Sequence, residues 1–392
     1  MDLKGWSAFQ EYDVRASMAA DDLERLVSEL EATRFDAPEG ASRLESWLML
    51  VAERDGSDLL LVAGEPPALR VHGRIVRADH PPLDGVDIEE MVLPELPPHA
   101  QRAFRECGIA DAARHVPGVG RFRINLHRER GRTAAAVRRL PRQVPALGSL
   151  NLPPGAELLT RFQRGLVLVG GATGSGKTTT LAAVVEAINA REPKHIITIE
   201  DPIEYEHVNR QSVIEQVEIG IDAPDFPTAL RSSLRQMPDV LVIGEMRDPE
   251  SMRIALAAGE TGQLVFSTVH TTDMPSTIGR ITDSFPAERQ PTIRQEIAAA
   301  LTAVFIQTLL PRTGGGRMPA AEMLVVQYGA RQHIRRNALH HLHQEITITR
   351  KSGSFTLEEC LARLVKDGLV DRNDAALRAN HPEDFEHAMR VG

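Results

Sequence analysis

Residues 165–187, GLVLVGGATGSGKTTTLAAVVEA, constrain the fold of this chain more than any other stretch. An apolar run from Leu166 to Val169 leads into Gly171, Ala172, Thr173, Gly174, Ser175, Gly176, Lys177 and Thr178, and a segment with helical apolar spacing follows. That order suits a phosphate clamp. A buried strand fixes the loop, and the glycines let successive backbone N–H groups turn inward around a polyphosphate. The helix beginning near Lys177 aims its positive end at the same charge. Lys177 is expected to reach the β- and γ-phosphates and the Thr178 hydroxyl to bind Mg²⁺, and Thr179 is counted among the nucleotide-binding residues. Lysine is otherwise scarce, appearing only at Lys4, Lys194, Lys351 and Lys366. A lysine at position 177 therefore runs against the chain's habit of using arginine.

At 392 residues the chain has room for two or three domains. Its formal charge of −9 gives no general attraction to nucleic acid, and its basic clusters, Arg128–Arg132 and Arg138–Arg142, are short. No nucleic-acid partner is expected. The N-terminal residues lack the charged-then-apolar order of a signal peptide, and no apolar run approaches the length of a membrane span, so a cytosolic location is expected. Cys107 and Cys360 are far apart and neither lies in a Cys-x-x-Cys pair, so both read as reduced, buried residues.

Residues 1–42 read as a helical extension and linker, with Leu23, Leu26, Val27 and Leu30 at amphipathic spacing. Residues 43–148 show short apolar runs, a helix-like PPHAQRAFRECG and the stretch GRFRINLHRERGRTAAAVRRL, a mixture that predicts a small α+β domain. Residues 149–345 alternate strand candidates with helical stretches at LVLVG, HIITIE, VLVIGE and QLVFSTVH, the βαβ rhythm of a parallel sheet. One further apolar strand, AAEMLVV, follows Gly316, and residues 346–392 read as helices.

Phosphoryl transfer also needs a held metal, an oriented water and a neutralising positive charge. Glu200, Asp201 and Glu204 crowd the end of one apolar run, and such carboxylates repel one another unless a cation or water separates them. Glu245 follows four apolar residues directly after Gly244, a position that predicts contact with metal and attacking water. An ordinary solvated loop after a strand is the alternative for both segments. His270 ends VFSTVH and is a candidate to contact the γ-phosphate, although a histidine at a strand end is commonly structural. His340, His341 and His343 cluster in a helix-like context without evident partners and read as a solvated face.

These motifs resemble those of the secretion and type IV pilus motor ATPases, within which the chain looks most like the twitching-motility retraction ATPases. Over roughly residues 43–380, GATGSGKT matches the Walker A loop, ITIEDPIEY the Asp box, LRQMPDVLVIGEMRD the Walker B segment and GQLVFSTVHTT the His box. The resemblance implies an α/β fold in which a RecA-like P-loop ATPase domain, preceded by a smaller PAS-like domain, carries C-terminal helices. It implies ATP and Mg²⁺ as cofactors, Glu204 as general base or water-orienting group, and Glu200 and Glu245 near the metal. Arg121 and Arg123 on GRFRIN would lean over the nucleotide, with Arg138 and Arg280 as further candidates. It also implies a homo-hexamer acting on an inner-membrane pilus platform protein from the cytosolic face of that membrane.

Two departures stand out. Gln263 occupies the place where the family usually has a histidine, and glutamine carries no proton. Residues 1–40 exceed what a typical retraction ATPase carries. A four-cysteine zinc insertion, common in the assembly and secretion members, cannot be built from two cysteines. GARQHIRRN partly matches a C-terminal segment of the retraction members, at Ala330, Arg331, Ile334 and Arg335. The remaining alternatives are an accessory pilus-assembly or type II secretion ATPase of the same family, a nucleotide-gated regulatory protein without turnover, and a ring translocase acting on DNA.

Overall fold

The computed structural model describes residues 42–391, so the expected helical extension over residues 1–42 lies almost wholly outside the described residues. Two compact units are present. Among the described residues, one contains those up to Gln143 together with Pro202–Tyr205, and the other contains Val144–Asp201 and those from Glu206 on.

The first unit opens with α1 (Arg43–Glu53), whose Ser42 cap accepts from the Glu45 N–H while the Glu45 side chain reaches back to the Ser42 N–H. Six strands follow with two helices between them: β1 (Gly56–Leu61), β2 (Ala68–Val71), β3 (Arg74–Arg77), α2 (Gly85–Val92), α3 (Pro98–Cys107), β4 (Ile109–Val116), β5 (Gly120–Glu129) and β6 (Arg132–Arg139). They pair antiparallel in the order β3-β2-β1-β6-β5-β4. Arg130 and Gly131 join β5 to β6 with φ of 50° and 75°, the two positive values that a tight hairpin with matching twist requires. Trp47, Leu59, Phe104, Phe122 and Ile124 share the core. Cys107 is exposed to solvent, contrary to the expectation of burial, because it is the last residue of α3, directly before the Gly108 cap.

The second unit is built on β7 (Gly165–Gly170), β8 (His195–Glu200), β9 (Val213–Glu218), β10 (Val240–Ile243), β11 (Leu264–Val269), β12 (Leu301–Pro311) and β13 (Arg317–Val325). Their order is β13-β12-β7-β11-β10-β8-β9. Connecting helices are α4 (Lys177–Asn189), α5 (Phe226–Ser233), α6 (Pro249–Glu260), α7 (Met274–Asp283) and α8 (Gln290–Ala300). Alternate residues of β7 enter opposite cores. Leu166 and Leu168 pack with Ile197, Ile243 and Ile297, whereas Val167 and Val169 pack with Val184, Ile188, Phe266 and Phe305. Burial on both faces explains why these strands read as unbroken apolar runs.

The sheet is not wholly parallel. β12 runs parallel to β7, but β13 turns back antiparallel to β12 through Gly314, Gly315 and Gly316, all at positive φ. Neither β9 nor β12 was among the strands expected from sequence. β12 follows α8 without a turn residue, so IAAALTAVFIQ reads as one apolar stretch and hides the change at Leu301, where the backbone becomes extended. The chain ends in α9 (Tyr328–Arg335), α10 (Leu342–Ile348), α11 (Leu357–Lys366), α12 (Arg372–Arg378) and α13 (Pro382–Arg390). Leu361, Leu364 and Phe385 form a further core there with Leu310 and Met318. Among the described residues, no helix is long and apolar enough to cross a membrane.

Candidate nucleotide site

Parallel strands deliver their following loops to one edge, and here β7, β10, β11 and β8 bring the phosphate loop, Glu245, His270 and Glu200 to the same edge. The loop itself depends on three glycines at positive φ: Gly171 at 147°, Gly174 at 78° and Gly176 at 88°. A Cβ on Gly171 would fall 2.3 Å from the Gln307 carbonyl oxygen and 2.4 Å from Ser175 Oγ. One on Gly176 would fall 2.8 Å from Gln307 Nε2. At Gly174 nothing lies within 4 Å, and Ala172, Thr173 and Gly174 face solvent, so the loop is open where an anion would enter. Gly176 caps α4 with no side-chain cap hydrogen bond, and the positive end of the helix points toward the loop.

Lys177 is buried, and its Nζ donates to the carbonyls of Gly171 at 2.8 Å and Ala172 at 3.0 Å. The ammonium thus lies over the clamp it is expected to serve. Thr178 and Thr179 follow on the first turn of α4, both half-buried. Ser175 Oγ is buried and has no hydrogen-bond partner among the described residues. The loop is braced from β12, a support that sequence reading missed. Gln307 Nε2 donates to the Ser175 carbonyl at 2.7 Å, and Gln307 Oε1 accepts from Thr180 Oγ1 at 2.7 Å. A glutamine inside an apolar strand was the available signal, and only its neighbour's pairing with Gly170 brings it beside the loop.

Gly244 lets the end of β10 approach β8 closely: its N–H donates to the Ile199 carbonyl at 2.8 Å, and a Cβ would lie 3.4 Å from the Glu200 Cα. Glu200 accepts from Thr198 Oγ1 at 2.7 Å and from Gln216 Nε2 at 3.3 Å. Glu245 is largely buried and pairs with Arg247 at 2.6 Å, so in this structure its charge is compensated by a guanidinium. His270 joins these parts. Its Nδ1 stands 3.5 Å from both Thr173 Oγ1 and Lys177 Nζ, and its Nε2 stands 3.7 Å from Glu245 Oε2. Burial, then the Lys177 charge, hold the imidazole below its ordinary pKa against the opposing pull of Glu245.

Arg121, Arg123 and Glu204 belong to the first unit. Arg121 Nη1 donates to the carbonyl of Ile203, immediately before Glu204, at 2.6 Å. Arg123 pairs with Asp111 at 3.5 Å, and Arg138 with Asp58 at 3.0 Å. Arg280 lies in the last turn of α7, where its charge also lowers the His270 pKa. Gln263 does not join the site. It precedes β11, where its carbonyl accepts from Gly165 N–H at the start of β7, so it stands at the edge of the sheet away from the phosphate loop. Its side-chain oxygen is buried without a partner among the described residues. Within this chain, Gln263 therefore lies at the opposite end of β7 from the phosphate loop.

A RecA-like sheet that closes a glycine loop on a helix N-terminus defines a P-loop ATPase, a nucleotide-binding protein. Comparison with known proteins narrows that class. The family model for type II/IV secretion system proteins matches residues 154–351. The type IV pilus retraction ATPase PilT of Pseudomonas aeruginosa is 39% identical over 338 residues, which cover 86% of this chain and 98% of that one. The type IV pilus ATPase PilU of the same organism is 36% identical over 352 residues, 89% of this chain and 91% of that one. A crystal structure of the pilus retraction motor PilT with bound ADP matches with a TM-score of 0.80 at 39% identity, covering 88% of this chain and 99% of that one. The chain belongs to the type II/IV secretion system protein family.

Proposed function

We propose that this chain is an ATP-hydrolysing motor that powers type IV pilus retraction. The observation that carries the reading is the match over 98% of the length of a pilus retraction ATPase, in a chain whose phosphate loop, Glu245 and His270 stand on one strand edge. The loop amides and Lys177 hold the polyphosphate, with Lys177 exchanging the carbonyls of Gly171 and Ala172 for phosphate oxygens. Thr178, Glu200 and Glu245 supply the oxygen donors that suit Mg²⁺, which when bound neutralises charge on the phosphate oxygens. Glu204 orients and deprotonates the attacking water, and Arg121 and Arg123 offset the charge of the transition state. His270, neutral near pH 7, couples the γ-phosphate position to Glu245. The motor assembles as a homo-hexamer and works on a pilus platform protein at the cytosolic face of the inner membrane.

Pili and twitching are to be scored in a host lacking the gene, complemented by wild type or by Glu204→Ala. Abundant surface pili without movement, restored by wild type alone, are the expected result. Bald cells would assign the motor to assembly, and unaltered pili and movement would assign it to a secretion or accessory system.

A further inference from the structure

The C-terminal helices carry a cluster of metal-ligating side chains that ATP hydrolysis does not use. His343 on α10, His381 at the N-cap of α13 and Asp384 in the first turn of α13 each offer one ligand atom, and these atoms all lie within 4.8 Å of one another. His343 Nε2 stands 3.0 Å from Asp384 Oδ2, and the His343 and His381 ring centroids lie 3.8 Å apart with their planes tilted by 35°. His381 and Asp384 lie 38 and 41 residues beyond His343 in the chain, so sequence spacing alone does not pair them.

We propose that His343, His381 and Asp384 bind a divalent transition metal of the zinc class, which pins the last helix to α10. Two imidazoles and one carboxylate are a borderline donor set that favours Zn²⁺ over Mg²⁺ or Ca²⁺. A tetrahedral ion with metal–ligand bonds of about 2.0–2.1 Å holds its ligand atoms about 3.3 Å apart. The three atoms, already within 4.8 Å of one another, would close to that spacing on binding, with a water as fourth ligand. The scaffold around them is built. The His381 N–H donates to Glu358 Oε1 at 2.9 Å, and Glu358 is itself buried on α11, so the backbone at one ligand is fixed. Phe385 is buried beside Asp384, and Lys366 Nζ donates to the carbonyls of Ala388 and Val391 at 2.8 Å, which seats α13 on α11. Leu342 and Ile346 on α10 pack instead into the core under the ATPase sheet. The ion therefore joins the core of the C-terminal helices to the core of the catalytic sheet.

The test uses the full chain without an affinity histidine tag, with Cys107→Ser removing the exposed thiol as a competing ligand. Chelator-stripped protein in Mg²⁺ buffer is titrated with Zn²⁺ and separately with Co²⁺. One ion per chain, a tetrahedral Co²⁺ visible spectrum and a raised melting temperature are expected. His343→Ala and His381→Ala should each weaken Zn²⁺ binding at least about 100-fold, beyond the 10–100-fold typical of changes around a ligand shell. The paired exchange His340→Ala and His341→Ala should leave binding intact, and Mg²⁺-dependent turnover checks that each variant is folded. Zn²⁺ should also protect His343 and His381, in otherwise unaltered protein, from histidine-selective acylation read by mass spectrometry. No binding at micromolar Zn²⁺, binding that survives loss of His343 and His381, or no protection of these two residues would overturn the proposal.

Discussion

His270 Nδ1 and Lys177 Nζ lie 3.5 Å apart, an imidazole nitrogen facing the ammonium of the phosphate loop across two neighbouring strands. A protonated imidazole in that place would repel the lysine, and burial also disfavours the charge, so the ring is neutral near pH 7. As a group with a lowered folded pKa, His270 contributes stability above its unfolded value near 6.5 and loses it as pH falls through the folded value. His270→Ala is expected to lower kcat about 10–100-fold with KM less affected, because a displaced Glu245 or Lys177 disturbs alignment more than binding. His270→Gln should recover part of the rate and flatten the loss of turnover below pH 6.5. Steady-state ATP hydrolysis between pH 5.5 and 8 provides the check.

Lys177 and Glu204 should separate binding from chemistry. Lys177→Ala is expected to abolish ATP binding in a fluorescent-nucleotide titration. Glu204→Ala should retain binding and lose about 100- to 10,000-fold in kcat, the usual contribution of a general base. A Glu204→Ala protein turning over near the wild-type rate would remove Glu204 from that role.

Gln307 supports the loop without facing phosphate. Gln307→Leu deletes its bond to the Ser175 carbonyl and strands the Thr180 hydroxyl, costing about 1–3 kcal/mol for a buried group left unsatisfied. The denaturation midpoint should fall accordingly, and ATP affinity should weaken about tenfold as the loop loses its brace. Combining it with Thr180→Val should regain part of the stability but not the affinity.

Glu322 on β13 is buried, and burial together with the nearby Glu358 and Asp273 carboxylates raises its pKa to about 8. A carboxyl group raised above its unfolded value of 4.5 contributes stability present below pH 4.5 and lost as pH rises through 8. Glu322→Gln, which stays neutral, should therefore stabilise the protein by a few kcal/mol at pH 8 and hardly at all at pH 5. Urea unfolding at the two pH values measures the difference.

What the chain determined by itself was local. Strand, glycine loop and helix follow one another without interruption from Leu166 to Val185, so torsional freedom, apolar burial and helix polarity are all written within one short window. The same holds for the strand ends carrying Glu200, Glu245 and His270, because each acidic or imidazole group directly follows the buried run that places it. Tertiary structure alone decided which of these ends are neighbours. It put β12 beside β7, making Gln307 the brace of a loop 132 residues away from it, and it sent Gln263 to the far edge of the sheet. It also brought His343 to His381 and Asp384, and Glu322 to Glu358. Such contacts depend on which strands pair and which helices pack, and no periodicity along the chain encodes them. They arise when burying both faces of one sheet leaves a single arrangement for everything attached to it.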